Sequence, residues 1–347
     1  MSDRRCTIEL VILMMVLYFS SPVVHGLTVA AGGDVMLGTD YPKNTLDDED
    51  AAGYLSEVTP LLRRADIAFA NYEGALIDGG EPAKLCSGRC YFFRSPTRYA
   101  RLLAEAGFDL ISLANNHARD FGEDGIASSQ QSLEAVGIGH SGLLGTVARL
   151  ERNEQRVGMI AFAPNPDLNP LLDLDVAEAQ VEALAATVDI VIVSFHGGRE
   201  GVDALHVAHG MEEYYGEERG DLRLFARTVI DAGADLVLGH GPHVPRGLEL
   251  YEDRLIAYSL GNFATYFGIS VAERKGVAPL LWVELASDGA FVEGRLHSFR
   301  QRRPQGPQVD PSQEALKLMQ RLSREDFPGS PLRFLPDGRL VLAADPP

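Results

Sequence analysis

From Leu27 onward, short apolar runs alternate with amphipathic stretches, and five of the runs stop abruptly on a polar cluster. Apolar runs of this length, bounded by glycine and separated by helically spaced segments, restrict the chain to an α/β architecture. The strands expected are Leu27–Gly32, Asp66–Ala70, Phe108–Ala114, Val157–Ala163, Val188–Phe195, Asp235–Gly239, Leu255–Leu260, Leu280–Leu285 and Phe291–Phe299. Helical spacing marks Ala51–Arg64, Thr97–Ala106, Gly125–Val136, Val176–Ala186, Asp221–Ala232 and Ser312–Leu322. Gly107, Gly137 and Gly233 each follow one of these helices, where a glycine can take positive φ and end the helix. The segment Arg300–Pro311, rich in Arg, Gln and Pro, is expected to leave the core.

The polar tips carry the functional signal. One run ends on Asp34, the next on Asn71 and Glu73, and the third on Asn115, Asn116 and His117. A fourth gives His196-Gly197-Gly198-Arg199-Glu200, and a fifth gives His240-Gly241-Pro242-His243. In open α/β sheets, ligands bind at the carboxyl ends of the strands. Each tip alone reads equally well as a strand-end turn or a hydrogen-bonded rim residue. Together, mixed carboxylate, amide and imidazole groups suit a pair of divalent ions such as Mn²⁺, Fe²⁺ or Zn²⁺, bridged by a carboxylate. Asn262, in "SLGNF", is read either as part of the cleft rim or as a plain turn. His206 and His209 are i,i+3 neighbours, but we read them as solvated residues of an insertion.

Charge narrows the partners. Lys and Arg number 31 against 49 Asp and Glu, a net charge of −18. Such a surface repels nucleic acid and anionic lipid headgroups, so a polyanionic substrate needs a locally positive site. Bound metal ions would provide it.

The first 26 residues have the layout of a secretory signal peptide: Asp3-Arg4-Arg5, the apolar run Val11–Phe19, then Val24-His25-Gly26. The run is short of the roughly 20 residues that span a bilayer, and an uncleaved membrane anchor is the alternative. An exported, periplasmic or extracellular protein is therefore expected. Cys86 and Cys90 could close a small disulfide loop after export. We read residues 1–26 as the signal, 27–300 as one domain and 301–347 as a C-terminal extension.

The stretches "GDVMLG", "NYEGAL", "SLANNHARDFG", "FHGGRE" and "GADLVLGHGPHV…LIAYSLGNF" closely resemble the CapA family of capsule and poly-γ-glutamate biosynthesis proteins, a branch of the calcineurin-like metallophosphoesterase superfamily. That resemblance implies an α/β/β/α sandwich, with two packed mixed sheets flanked by helices. It implies a metal-dependent hydrolase or, alternatively, a non-catalytic polymer-binding or scaffold component of an envelope polymer complex. The implied metal ligands are Asp34 and His243 for a first ion, Asn116, His196 and His240 for a second, and Glu73 as the bridge. His117 would protonate the leaving oxygen, and Asn71, Arg199, Glu200 and Asn262 would face the substrate, an anionic polymer or a phosphoester. Two departures from the wider superfamily stand out: Met36 occupies a position where histidine is usual, and His240-x-x-His243 replaces His-x-His.

Overall fold

The structure is a computed structural model that describes residues 26–47, 51, 53–83 and 91–343. The signal-peptide reading and the Cys86–Cys90 pairing lie outside these residues. Among the described residues, two large mixed sheets of ten and seven strands face one another. In the larger, Leu27–Met36 is central, with Ile67–Tyr72, Leu110–Ser112 and Gly139–Ser141 following in parallel on one side. On its other side, Val277–Leu285 and Phe291–Arg302 run antiparallel. In the smaller sheet, Gln155–Ala163, Ile190–His196, Leu236–His240 and Arg254–Ala257 are parallel neighbours.

Successive side chains of a strand point to opposite faces, and the burial pattern obeys this strictly. Val29, Ala31, Ile67 and Phe69 join Ile190, Ile192, Leu236 and Leu238 in one core between the sheets. Their neighbours Ala30, Ala68, Ala70 and Tyr72 face outward onto the helix Tyr99–Ala106. Val191, Val193, Phe195 and Val237 face the opposite way, onto the helices Leu174–Ala185 and Leu222–Asp231. The result is the expected helix/sheet/sheet/helix sandwich. Asp173 and Asp221 cap the last two helices by accepting from the amides of Val176 and Leu224. Gly107, Gly137 and Gly233 all take positive φ (+104°, +78° and +108°).

Three expectations fail for identifiable reasons, the third of them at the strand expected over Leu255–Leu260, taken up below. The helix predicted over Ala51–Arg64 contracts to Thr59–Leu62. Pro60 has no amide hydrogen and disfavours helical geometry before it, so it can only open a helix. The segment Arg300–Pro311 does not leave the core. The Phe291–Arg302 strand continues through it, and Gly306–Val309 folds back as an antiparallel partner. Gln301 is 4% exposed and accepts from the backbone amide of Thr265, an attachment that composition does not reveal.

One exchange positions the site. Residues 27–31 of the first strand pair with Val277–Leu285, whereas residues 34–36 pair with Asn262–Thr265. The switch falls at Gly32-Gly33. A Cβ on Gly33 would lie 1.9 Å from the Gly261 carbonyl oxygen, so only glycine lets the two backbones approach this closely. The Asp34 amide then donates to that same oxygen at 2.8 Å. After Ala257 the chain crosses from the smaller sheet to the larger, where a single strand Leu255–Leu260 was expected.

Candidate metal centre

Strand parity delivers the ligands. His196 and His240 continue the inward-facing sets 190/192 and 236/238, and their Cα positions are paired in register. Asn71 continues the inward set 67/69, and Asp34 falls on the inner side after the Gly32-Gly33 irregularity. Four polar side chains from the two sheets therefore point into one gap at the carboxyl ends of the strands. The Phe69 and His240 rings, from opposite sheets, meet at 5.7 Å between centroids.

The turn after Leu236–His240 adds the next ligand. Gly241 has φ +117°, and a Cβ there would sit 2.3 Å from the Gly197 carbonyl oxygen. This tight packing of two strand ends swings His243, itself at φ +59°, back over Asp34. His243 Nδ1 lies 3.0 Å from both Asp34 Oδ2 and Asn262 Oδ1. Its Nε2 is 3.5 Å from Glu73 Oε1, and His240 Nδ1 is 3.3 Å from Asp34 Oδ1. Asp34, Glu73 and His243 each place a ligand atom within 4.8 Å of the others.

Burial and mutual contact set the electrostatics of the site. Burial alone would raise the Asp34 carboxyl, but contact with His240 and His243 holds it well below the usual carboxylate range. Glu73 is driven upward, chiefly by burial. Burial opposes charge on His243, yet the Glu73 and Asp34 carboxylates outweigh it and shift the imidazole upward. His196 is pushed well down by burial and by the nearby Arg219 charge. Apart from the His240–Asp34 and His243–Glu73 contacts just given, both oxygens of Glu73 and both ring nitrogens of His196 and His240 are buried without a hydrogen-bond partner. Buried polar groups are nearly always satisfied. Six such atoms around Asp34 and His243 fit divalent ions bound by mixed oxygen and nitrogen donors.

The sequence profile of the family described as "Bacterial capsule synthesis protein PGA_cap" matches residues 28–266. The chain belongs to that family. It is 27% identical over 267 residues to the capsule biosynthesis protein CapA of Bacillus anthracis, covering 70% of this chain and 62% of that one. A probable polyglutamine synthesis accessory protein of Mycobacterium tuberculosis is 32% identical over 295 residues, covering 68% and 73%. The chain spans 62%, 66% and 63% of the first three curated relatives it matches. Among solved structures, it is similar to a 5'-nucleotidase precursor from Thermus thermophilus (16% identity, TM-score 0.44, 85% of this chain and 58% of that one). It is also similar to a purple acid phosphatase from yellow lupin seeds (13%, TM-score 0.39, 82% and 52%).

In this PGA_cap-family chain the other expected residues occupy distinct places. Asn71 is buried and donates from Nδ2 to Asp34 Oδ1 at 2.9 Å. Asn262 is buried beneath His243. Asn116 and Arg119 line a cavity of about 260 Å³ that does not include Asp34, Glu73, His196, His240 or His243; it adjoins the ligands only through Asn115, which reaches Asn71. His117 is 9% exposed, lies against Phe93 at 4.3 Å between ring centroids, and pairs through Nδ1 with Asp120 Oδ2 at 2.8 Å. Glu200 Oε2 is 3.8 Å from His243 Nε2. Arg199 turns outward toward the Asp203 carbonyl. Met36 is buried with Phe93 and Ile269, and its sulfur accepts from the Gly38 amide at 3.2 Å. His206 is exposed and pairs with Asp326 at 2.7 Å.

Two participants, Asp120 and Arg219, escaped sequence reasoning, and Asn115, seen there only as part of a strand tip, was given no role. Asn115 donates to both Asn71 Oδ1 (3.1 Å) and the Tyr72 carbonyl (2.8 Å), completing a relay to Asp34. Asp120 orients His117, and their i,i+3 spacing within "NHARD" was the available signal. Arg219 is 1% exposed and bonds Glu200 at 3.1 Å; nothing in its hairpin sequence announces it. Replacing Asn71 by leucine removes the donor that fixes Asp34. Ion affinity is expected to drop about 10–100-fold, measured by competition with a fluorescent chelator.

Proposed function

We propose that this chain is a divalent-metal-dependent hydrolase acting on an anionic substrate, a phosphoester or an acidic polymer, in making or trimming an envelope polymer. The observation that carries this reading is the set of buried, unpartnered ligand atoms on Glu73, His196 and His240 around Asp34 and His243. Asp34, Glu73 and His243 would hold one ion, and Asn116, His196 and His240 a second, with Glu73 between them. Such ions supply Lewis-acid polarisation and local positive charge to an otherwise strongly negative protein.

The remaining work falls to side chains. His117 Nδ1 faces the buried Asp120 carboxylate, which also accepts from the Phe93 amide at 2.9 Å and so fixes the ring. Its Nε2 is then the atom available to protonate a leaving oxygen. Asn115 ties this segment to the ligands, since its Oδ1 accepts from the His117 amide and its Nδ2 reaches Asn71. The polymer in the proposal comes from the family, whose relatives carry the names capsule biosynthesis protein and PGA biosynthesis protein. Export and a place in an envelope polymer assembly belong to the same proposal.

The test is hydrolysis of bis-p-nitrophenyl phosphate and of γ-linked polyglutamate by chelator-treated protein with Mn²⁺ restored. Turnover is expected only with the ion. His117→Ala is expected to lower kcat by about 10²–10⁴-fold with metal content unchanged. Metal-loaded protein that cleaves neither substrate overturns the reading.

A further inference from the structure

We propose that the cavity of about 260 Å³ lined by Asn116 and Arg119 is a second binding subsite, in which the Arg119 guanidinium takes an acidic group that the substrate carries beside the bond to be broken. The inference deepens the reading above by naming a feature of its substrate, and it rests on that reading for the reaction itself.

Strand order places the cavity. In the larger sheet Ile67–Tyr72 is followed outward by Leu110–Ser112, and in the smaller sheet Ile190–His196 is followed outward by Gln155–Ala163. Leu110, Met159 and Ala161 share one core, so these outer strands face each other across the same gap as the ligand-bearing ones. The chain leaving Leu110–Ser112 supplies Asn115, Asn116, Arg119 and Gly122 to the cavity, and the chain leaving Gln155–Ala163 supplies Asn165 and Pro166. Both are carboxyl ends, the end at which His196 and His240 stand. The cavity therefore continues the metal cleft one strand pair outward. Asn115 is the joint, since it lines the cavity and reaches Asn71, the donor to Asp34.

Size and charge fit one acidic unit. Sites for whole small ligands run to about 300–1,000 Å³, so this cavity holds a single unit of a longer molecule. Among the described residues that line it, Arg119 alone is charged. The carboxylates now beside Arg119 stand on the solvent side: Glu123, with its side chain 75% exposed, and Asp167, 66% exposed with Oδ2 at 3.2 Å. Ion pairs that exposed contribute little, so a ligand oxyanion can take the guanidinium fork at small cost. The helix Gly122–Glu134 begins on the cavity wall, and its N-cap, Phe121, has no side chain able to cap it. Its free amides and dipole favour negative charge beside Arg119. Glu123 and Asp124 in its first turn are exposed, where water screens them.

Such a subsite separates substrates. A phosphoester with no second acidic group leaves Arg119 to its exposed partners. A molecule with acidic groups in series anchors one of them here while the neighbouring bond meets the centre at Asp34 and His243. Arg119 thus governs affinity for the substrate and leaves the chemistry to that centre.

Fluorescence anisotropy of a fluorescein-labelled hexaglutamate peptide tests this on chelator-treated and on Mn²⁺-restored protein. The set is the wild type, Arg119→Met, Arg119→Lys and the exposed control Arg101→Met. Arg119→Met is expected to weaken binding about 10–100-fold, with Arg119→Lys intermediate because an ammonium keeps the charge and loses the fork. Inorganic tripolyphosphate, competing on chelator-treated protein, separates the two sources of charge. Displacement of the peptide makes the subsite one for oxyanions in general, and no displacement makes it one for carboxylates. Binding by Arg119→Met within twofold of the wild type, or no binding by the wild type, overturns the proposal. Arg119-dependent binding that Mn²⁺ does not strengthen supports the subsite and counts against the metal reading alone. Should Arg119→Met fail to fold, arginine modification of the wild type by phenylglyoxal decides. Peptide that shields Arg119 supports the assignment, and Arg119 modified at an unchanged rate with peptide bound overturns it.

Discussion

Glu73→Gln is expected to bind Mn²⁺ at least about 100-fold more weakly than the wild type, yet to be no less stable once ions are removed. The opposite signs follow from one cause. Glu73 is fully buried and its only charged neighbour at the ligand centre is the His243 imidazole at 3.5 Å, so its charge remains costly until a cation arrives. The amide keeps the shape and removes that charge, abolishing the penalty and the ligand together. A pH dependence accompanies it in chelated protein. Both Glu73 and His243 hold protons more tightly folded than unfolded. Each therefore contributes stability that is present at low pH and lost as pH climbs past the ordinary values of 4.5 and 6.5. Asp34 shifts the other way, so its contribution is lost only as pH falls below its ordinary 3.8. Stability of the wild type should fall between about pH 5 and 8, and Glu73→Gln should flatten that slope. Chemical denaturation across this range, with and without Mn²⁺, reads all of these effects.

Arg246→Met is expected to destabilise the protein by about 3–5 kcal/mol. Arg246 is 1% exposed and grips both Glu212 oxygens at 2.8 Å. It also donates to the carbonyls of Ala204 (2.8 Å) and Arg199 (3.3 Å), tying down the segment that carries Glu200. Removing the guanidinium strands a carboxylate in a site that is 7% exposed. The double variant Arg246→Met/Glu212→Leu should recover much of the loss, because a matched apolar pair leaves no buried charge. Urea unfolding midpoints at constant slope measure it. Double-variant stability no better than the single one would show that the carbonyl contacts dominate.

Much of this architecture was legible in the chain. Periodicity located the strands, since Ile190–His196 and Leu236–His240 alternate between two buried faces and still read as apolar runs. Glycines marked three helix ends. The strand tips Asp34, Glu73 and His243 were found because abrupt polarity after a buried run is visible locally. What stayed hidden depends on contacts distant in sequence. Arg219 and Arg246 look like ordinary surface cations until the hairpin Glu212–Gly220 folds over Glu200. Gln301 looks like part of a polar tail until it meets Thr265, 36 residues away. Pro60, the breaker that confines the first helix to Thr59–Leu62, stands in the sequence, but apolar spacing alone does not register it.

The backbone crossover at Gly33 and Gly261 has an energetic corollary. Asp34 and His243 are separated by 209 positions, and they come from the two different sheets. Closing a loop of that length costs entropy that local contacts do not repay, so a partly folded chain is a poor host for an ion at these residues. Cation affinity thus accrues mainly to the finished molecule, adding about 2.7 kcal/mol at a free concentration 100 times Kd. Under the metal-dependent reading proposed above, withholding the ion would lower stability as well as activity.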